Sequence, residues 1–153
     1  MKAMDLAYYI IKVASDMGKP VSNLKLLKIL YFIHRDFSTE DKMLINDERF
    51  VAWPYGPVIP SVYFEFSINA ARPIMPPADY DEASVDFCHA KDKKDQIKEK
   101  IQHYANRESW WLVQESHKDG GAWRRAQGQS KKGSRYLSQK DILEERKGCG
   151  HEG

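Results

Sequence analysis

The sequence predicts a mainly α fold: a compact single-domain helical bundle of about five to six helices, with at most a short β segment near residues 49–53. Three observations carry this expectation. Apolar residues recur at spacings of three and four through most of the chain, which is the repeat of one helical face. Aromatic and β-branched residues suited to a strand gather in one run, Arg49-Phe50-Val51-Ala52-Trp53. The 153 residues, 42% of them hydrophobic, suffice for a single core and contain no internal repeat that would point to an array.

A first helix is expected over residues 4–17, where Leu6, Tyr9, Ile10, Val13 and Met17 form one apolar face before Gly18 and Pro20 stop it. Ser22 then caps a second helix in which Leu24, Leu27, Leu30, Tyr31 and Phe37 share a side, widened by Leu26, Ile29 and Ile33. So wide a stripe suits a central helix. Residues 39–48 read as a polar connection, and Pro54, Gly56 and Pro57 make a stiff turn after the short β segment. Pro60 fits the first turn of a third helix running to about residue 69, with Val62, Tyr63 and Phe66 inward. After a long Pro-containing connection, a helix over about 93–106 places Ile97, Ile101 and Tyr104 on one face. The next, over 107–118, carries Trp110, Trp111, Leu112 and Val113, which cannot all point one way at about 100° per residue. Gly120-Gly121 breaks it, and Trp123-Arg124-Arg125-Ala126 reads as a short basic segment. Ser138 with Asp141 resembles a capping box that opens a last helix over 139–147. Residues 4–147 are therefore expected to form one domain, and 148–153 a flexible Gly-rich tail.

Several function classes fall away on composition. Charge interrupts the N-terminal apolar run at Lys12 and Asp16, and no stretch approaches the roughly 20 apolar residues needed to span a bilayer. The expectation is a soluble, cytoplasmic protein that is not membrane-inserted, with Cys88 and Cys149 as free thiols. Phosphate-binding glycine loops, nucleophile elbows, His-Glu metal pairs and Cys-x-x-Cys are all missing from the sequence, so no enzymatic activity and no cofactor are expected. The five histidines are scattered, and Cys88-His89 with Cys149 and His151 lacks the paired spacing of a zinc site. Asp36, Glu40 and Asp41 read as solvated charge rather than as an acid-base pair.

Charge is unevenly distributed. The net charge is only +2, yet residues 118–147 hold nine Lys or Arg against four acids. Arg124, Arg125, Lys131, Lys132 and Arg135 form a candidate basic patch, compatible with a nucleic-acid backbone, an acidic protein or a solvated loop. The most distinctive segment is 50–66, whose prolines stiffen a turn bearing Trp53 and Tyr55. Those amphipathic rings suit either a contact surface or inward packing.

Within that segment, Phe50, Ala52-Trp53, Tyr55-Gly56-Pro57-Val58, Pro60, Val62-Tyr63 and Phe66 resemble the signature of the Panacea antitoxin domain, a family that includes SocA-like antitoxins and phage-associated proteins. The preceding Leu24-Lys25-Leu26-Leu27-Lys28-Ile29-Leu30-Tyr31-Phe32 resembles the family's Leu- and Lys-patterned helix, and Ala7 to Ala14 its opening helix. Ser116-His117 followed by Ala122-Trp123 and Ala126 resembles its closing segment. The resemblance implies a helical, non-enzymatic antitoxin of a toxin-antitoxin system that neutralises a cognate toxin by direct protein binding. Two alternatives stay open: an adaptor that delivers a toxin or other client to a protease, and a nucleic-acid-binding regulator using residues 118–147. The partner-binding candidates are Lys25, Lys28, Trp53, Tyr55, Gly56, Pro57, Tyr63, His117 and Trp123, with His117 and Trp123 bracing the turn through a hydrogen bond or ring contact.

Overall fold

The computed structural model describes residues 1–128 and 136–149. Among these, seven α-helices and one two-stranded sheet follow in the order α1 (Ala3–Asp16), α2 (Asn23–Phe37), β1 (Val51–Trp53), β2 (Gly56–Val58), α3 (Pro60–Phe66), α4 (Lys94–Ala105), α5 (Ser109–Ser116), α6 (Ala122–Gly128) and α7 (Gln139–Cys149). The fold is mainly α, as the apolar periodicity predicts. None of these helices is long and apolar enough to cross a membrane.

The chain turns from α1 into α2 because Gly18, at φ +74°, adopts a conformation that costs a side-chain-bearing residue strain. Lys19 N–H then donates back to the Ala14 carbonyl at 2.9 Å, closing the helix end. Ser22 Oγ accepts from Lys25 N–H at 3.3 Å and starts α2.

Helix α2 is the centre of the molecule. It touches α1, α3, α4, α5, α7 and β2, and every residue from Leu26 to Arg35 is buried. A helix surrounded in this way must satisfy its polar side chains internally. Each is held by a different part of the chain. Lys28 Nζ donates to the Tyr55 carbonyl, His34 Nδ1 accepts from Ile45 N–H at 3.1 Å, and Arg35 Nη1 donates to Glu145 of α7 at 2.9 Å.

The structure departs from the sequence expectation in identifiable places. The segment around Trp123 is a helix, α6, whose first N–H, on Ala122, donates to the Glu145 carboxylate at 2.9 Å. Its start signal thus lies on α7 and is invisible locally. The β segment continues as a hairpin, with Val51 opposite Val58, Ala52 opposite Pro57 and Trp53 opposite Gly56. The third helix ends at Phe66 and tightens into a 3₁₀ turn over Ser67–Asn69. Leu24, expected on the apolar side of α2, is 41% exposed, while Leu44 and Ile45 of the nominally polar connection are buried.

Asp36 corrects the expectation of solvated charge. Its side chain is only 8% exposed, accepts from Arg35 Nε at 2.9 Å and receives the Tyr104 hydroxyl. Of its two supposed companions, Glu40 is exposed and pairs with Lys147 at 3.1 Å.

The end of the described chain is integral to the core. Tyr136 bridges to Val51, Leu137 N–H donates to the Phe50 carbonyl at 2.9 Å, and Ser138 Oγ accepts from Asp141 N–H at 3.2 Å to open α7. Leu137, Ile142 and Glu145 are buried. Residues 150–153, the rest of the expected tail, lie outside the described residues.

Candidate partner-binding site

The hairpin β1–β2 reverses direction through Pro54 and Tyr55, a two-residue loop between the paired Trp53 and Gly56. Proline fixes φ and stiffens this loop. The turn carries the Tyr55 side chain outward, 71% exposed. Behind it, Trp53 meets the Tyr63 ring edge-on at 5.1 Å, and Tyr63 meets Phe64 at 5.3 Å. Phe64, whose ring also meets Trp53 at 6.2 Å, extends the apolar surface and is 66% exposed. Beside them lies an open groove of about 380 Å³, lined by the start of α2 at Leu24 and Leu27, by Trp53, Tyr55 and Val58 of the hairpin, and by Tyr63. Its exposed lining is mostly apolar.

The hairpin's inner side is pinned by its backbone. The Ala52 carbonyl accepts from Gln127 Nε2 at 3.1 Å, the Trp53 carbonyl from Trp123 Nε1 at 2.7 Å, and the Tyr55 carbonyl from Lys28 Nζ. The Trp123 ring is itself stacked on His117, with centroids 3.8 Å apart and planes 5° from parallel. Gly56 has φ +124° and lies against the Lys28 side chain of α2. A Cβ there would collide with Lys28 Nζ and lie 3.1 Å from Ser116 Oγ.

Burial sets the electrostatics behind the turn. It pushes the Lys28 ammonium down to about 8, with no carboxylate opposing the shift. Burial also lowers His117, followed by the Lys28 charge, against a hydrogen bond to the Tyr55 carbonyl. Lys25 is lowered by burial as well, with Glu108 opposing, and its Nζ donates to the Ala105 carbonyl at 2.8 Å.

The candidate residues therefore divide by position. Tyr55 is exposed, and Trp53 and Tyr63 are half-buried at the groove. Lys28, Gly56, Pro57 and Trp123 are buried beneath the turn, with His117 half-buried against Trp123, and Lys25 half-buried toward the end of α4. Leu24 and Phe64 join this surface, though neither is among the partner-binding candidates of the sequence. The cue was present for Phe64, since one helix cannot turn adjacent Tyr63 and Phe64 inward together.

The basic segment offers less free charge than its count suggests. Arg124 donates to the His117 carbonyl at 2.7 Å, and Arg125 pairs with Asp141 at 2.9 Å and Glu144 at 2.8 Å. Arg146 Nε donates to the Asp36 carbonyl at 2.9 Å. Lys131, Lys132 and Arg135 lie outside the described residues.

A profile of the family described as Antitoxin SocA-like, Panacea domain, matches residues 26–124. The chain belongs to this family. The Panacea match contains the hairpin, Tyr63, His117 and Trp123, and ends before α7. The chain is also 37% identical over 73 residues to Antitoxin SocA of Caulobacter vibrioides (strain NA1000 / CB15N), a match covering 48% of this chain and 39% of that protein. It thus spans less than half the length of the curated relative it matches. No solved structure matches this Panacea domain.

Proposed function

We propose that this protein is a non-enzymatic antitoxin that neutralises a cognate toxin in the cytoplasm by direct contact, through the surface formed by Tyr55, Trp53, Tyr63 and Phe64 beside the groove. The Tyr55 ring carries this reading: it is 71% exposed on a turn stiffened by Pro54 and pinned through its own carbonyl. Such a ring loses little conformational entropy on contact and presents an apolar body with a polar tip, the profile of an interface anchor. Family membership supports a toxin as the partner. The engagement of Arg124, Arg125 and Arg146 with neighbouring groups weighs against nucleic-acid binding through the C-terminal segment.

The test is co-expression with the protein encoded next to this one, scoring growth rescue and co-purification. Rescue with a stable complex supports masking by contact. Rescue accompanied by disappearance of the toxin favours delivery to a protease instead. A toxic neighbour that is neither bound nor neutralised overturns the proposal.

A further inference from the structure

Lys28 is 1% exposed and has no carboxylate in ion-pair range among the described residues, an expensive arrangement that a leucine or methionine of similar volume would avoid. Its Nζ is aimed at the Tyr55 carbonyl, through space that exists only because residue 56 has no side chain. The anchors from Gln127 and Trp123 are neutral donors on α6, and His117, which shares the Tyr55 carbonyl, is a neutral donor as well. The anchor from α2 is ionic, and it grips the residue whose ring is displayed. We infer that Lys28 is a positioning residue for partner recognition: its ammonium clamps the Tyr55 carbonyl across Gly56 and thereby fixes the direction in which the Tyr55 ring meets the partner. The role in recognition rests on the antitoxin reading above; the clamp itself does not.

The groups around the ammonium determine how the clamp responds to pH. At the end of α5, His117 faces it, with Arg124 of α6 beyond; Glu115 of α5 is directed instead at Arg35 and Lys118. The Tyr55 phenol lies on the outer side of the turn, and Lys25, on the same helix as Lys28, is directed to Ala105 and Glu108. His117 is held below its ordinary value and is neutral where Lys28 titrates. As pH rises through about 8, Lys28 loses its charge. The bond to Tyr55 then weakens from charge-assisted to neutral. Global stability responds in the opposite direction. The unfolded lysine stays protonated to about 10.5, so between the two values the unfolded chain binds more protons and raising pH favours the folded state. A lysine that merely filled space beneath the hairpin would not loosen the turn as it titrates.

The experiment follows the Lys28 side-chain carbons, the Tyr55 carbonyl carbon and the Gly56 amide by NMR on the whole chain from pH 6.5 to 10. The expected result is one shared midpoint near 8, with amide exchange in the turn at least tenfold faster in Lys28→Met, beyond the change expected from pH alone. Turn signals that do not follow the Lys28 titration overturn the clamp. If Lys28→Met does not fold, the titration of the unsubstituted protein still decides. With the neighbouring gene product as probe, affinity should fall several-fold from pH 7 to 9 and at least tenfold in Lys28→Met. Unchanged affinity with a loosened turn overturns the recognition role while leaving the antitoxin reading intact. Absence of any binding by the unsubstituted protein overturns that reading and the recognition role with it, while the clamp stands or falls on the titration.

Discussion

The Glu145 carboxylate receives Arg35 Nη1 at 2.9 Å with both side chains almost fully buried, an ion pair that ties α7 to the last turn of α2. The same carboxylate accepts the Tyr31 hydroxyl and the Ala122 N–H, each at 2.9 Å. One acid is thus counter-ion to α2 and remote cap to α6.

Replacing Glu145 by Ala leaves the buried guanidinium without this carboxylate and should cost about 3–5 kcal/mol in urea unfolding. The double variant Arg35→Met with Glu145→Leu should recover much of that loss. A loss below about 1 kcal/mol for the single variant would mean that the pair is hydrated in solution. Deleting residues 136–149 removes this anchor together with buried Leu137 and Ile142, and should unfold the domain rather than leave a trimmed binding module.

Two glycines with positive φ separate backbone strain from collision. Gly18→Ala meets nothing within 4 Å, whereas Gly56→Ala places its Cβ against Lys28 Nζ. Thermal melts should show a loss of about 1 kcal/mol for the first and about 3 kcal/mol for the second. Equal losses would mean that the hairpin shifts to admit the methyl group.

Tyr55→Ala should change stability by no more than about 0.5 kcal/mol, as at an exposed position, yet weaken partner binding by about 2 kcal/mol or more. Calorimetry of the complex beside a thermal melt of the free chain checks both halves. A collapse of the melt would reassign Tyr55 to the core.

Acid should destabilise the protein through His34. Burial, and then the N-terminal charge, hold this imidazole down to about 3. In the unfolded chain it titrates near 6.5, so between these values only the unfolded state takes up the proton. Its contribution is complete above pH 6.5 and declines at about 1.4 kcal/mol per pH unit as pH falls toward 3. His89, His103 and His117 are lowered too and act in the same direction. Urea midpoints at pH 7 and pH 4.5 should therefore differ more in the unsubstituted protein than in His34→Asn.

The sequence made α1, α2 and α4 legible because their apolar spacing is long and regular. It also marked the hairpin as the unusual segment through Pro54, Gly56 and Pro57. What it hid depends on contacts between distant positions. Helix α6 starts on an acid 23 residues away, and Asp36 is buried by Arg35 and by Tyr104, 68 residues on. Nor does the Leu-Lys pattern of α2 reveal that Lys28 faces inward. Its neighbours Leu27 and Ile29 are buried as well, so a periodicity argument has no polar face on which to place it. The groove is a property of several stretches meeting, the start of α2, the hairpin, α3 and the turn after it, and none of them announces it alone.

The inner anchors that Gln127, Trp123 and Lys28 give the hairpin all grip main-chain carbonyls. Every amino acid carries that oxygen, so the grip at position 55 does not depend on which side chain is mounted there. The fold and the displayed chemistry are consequently under separate control. On the antitoxin reading proposed above, a different residue at the tip would meet the partner differently without slackening the mount, so the chemistry offered at the turn would change while the scaffold beneath stays the same.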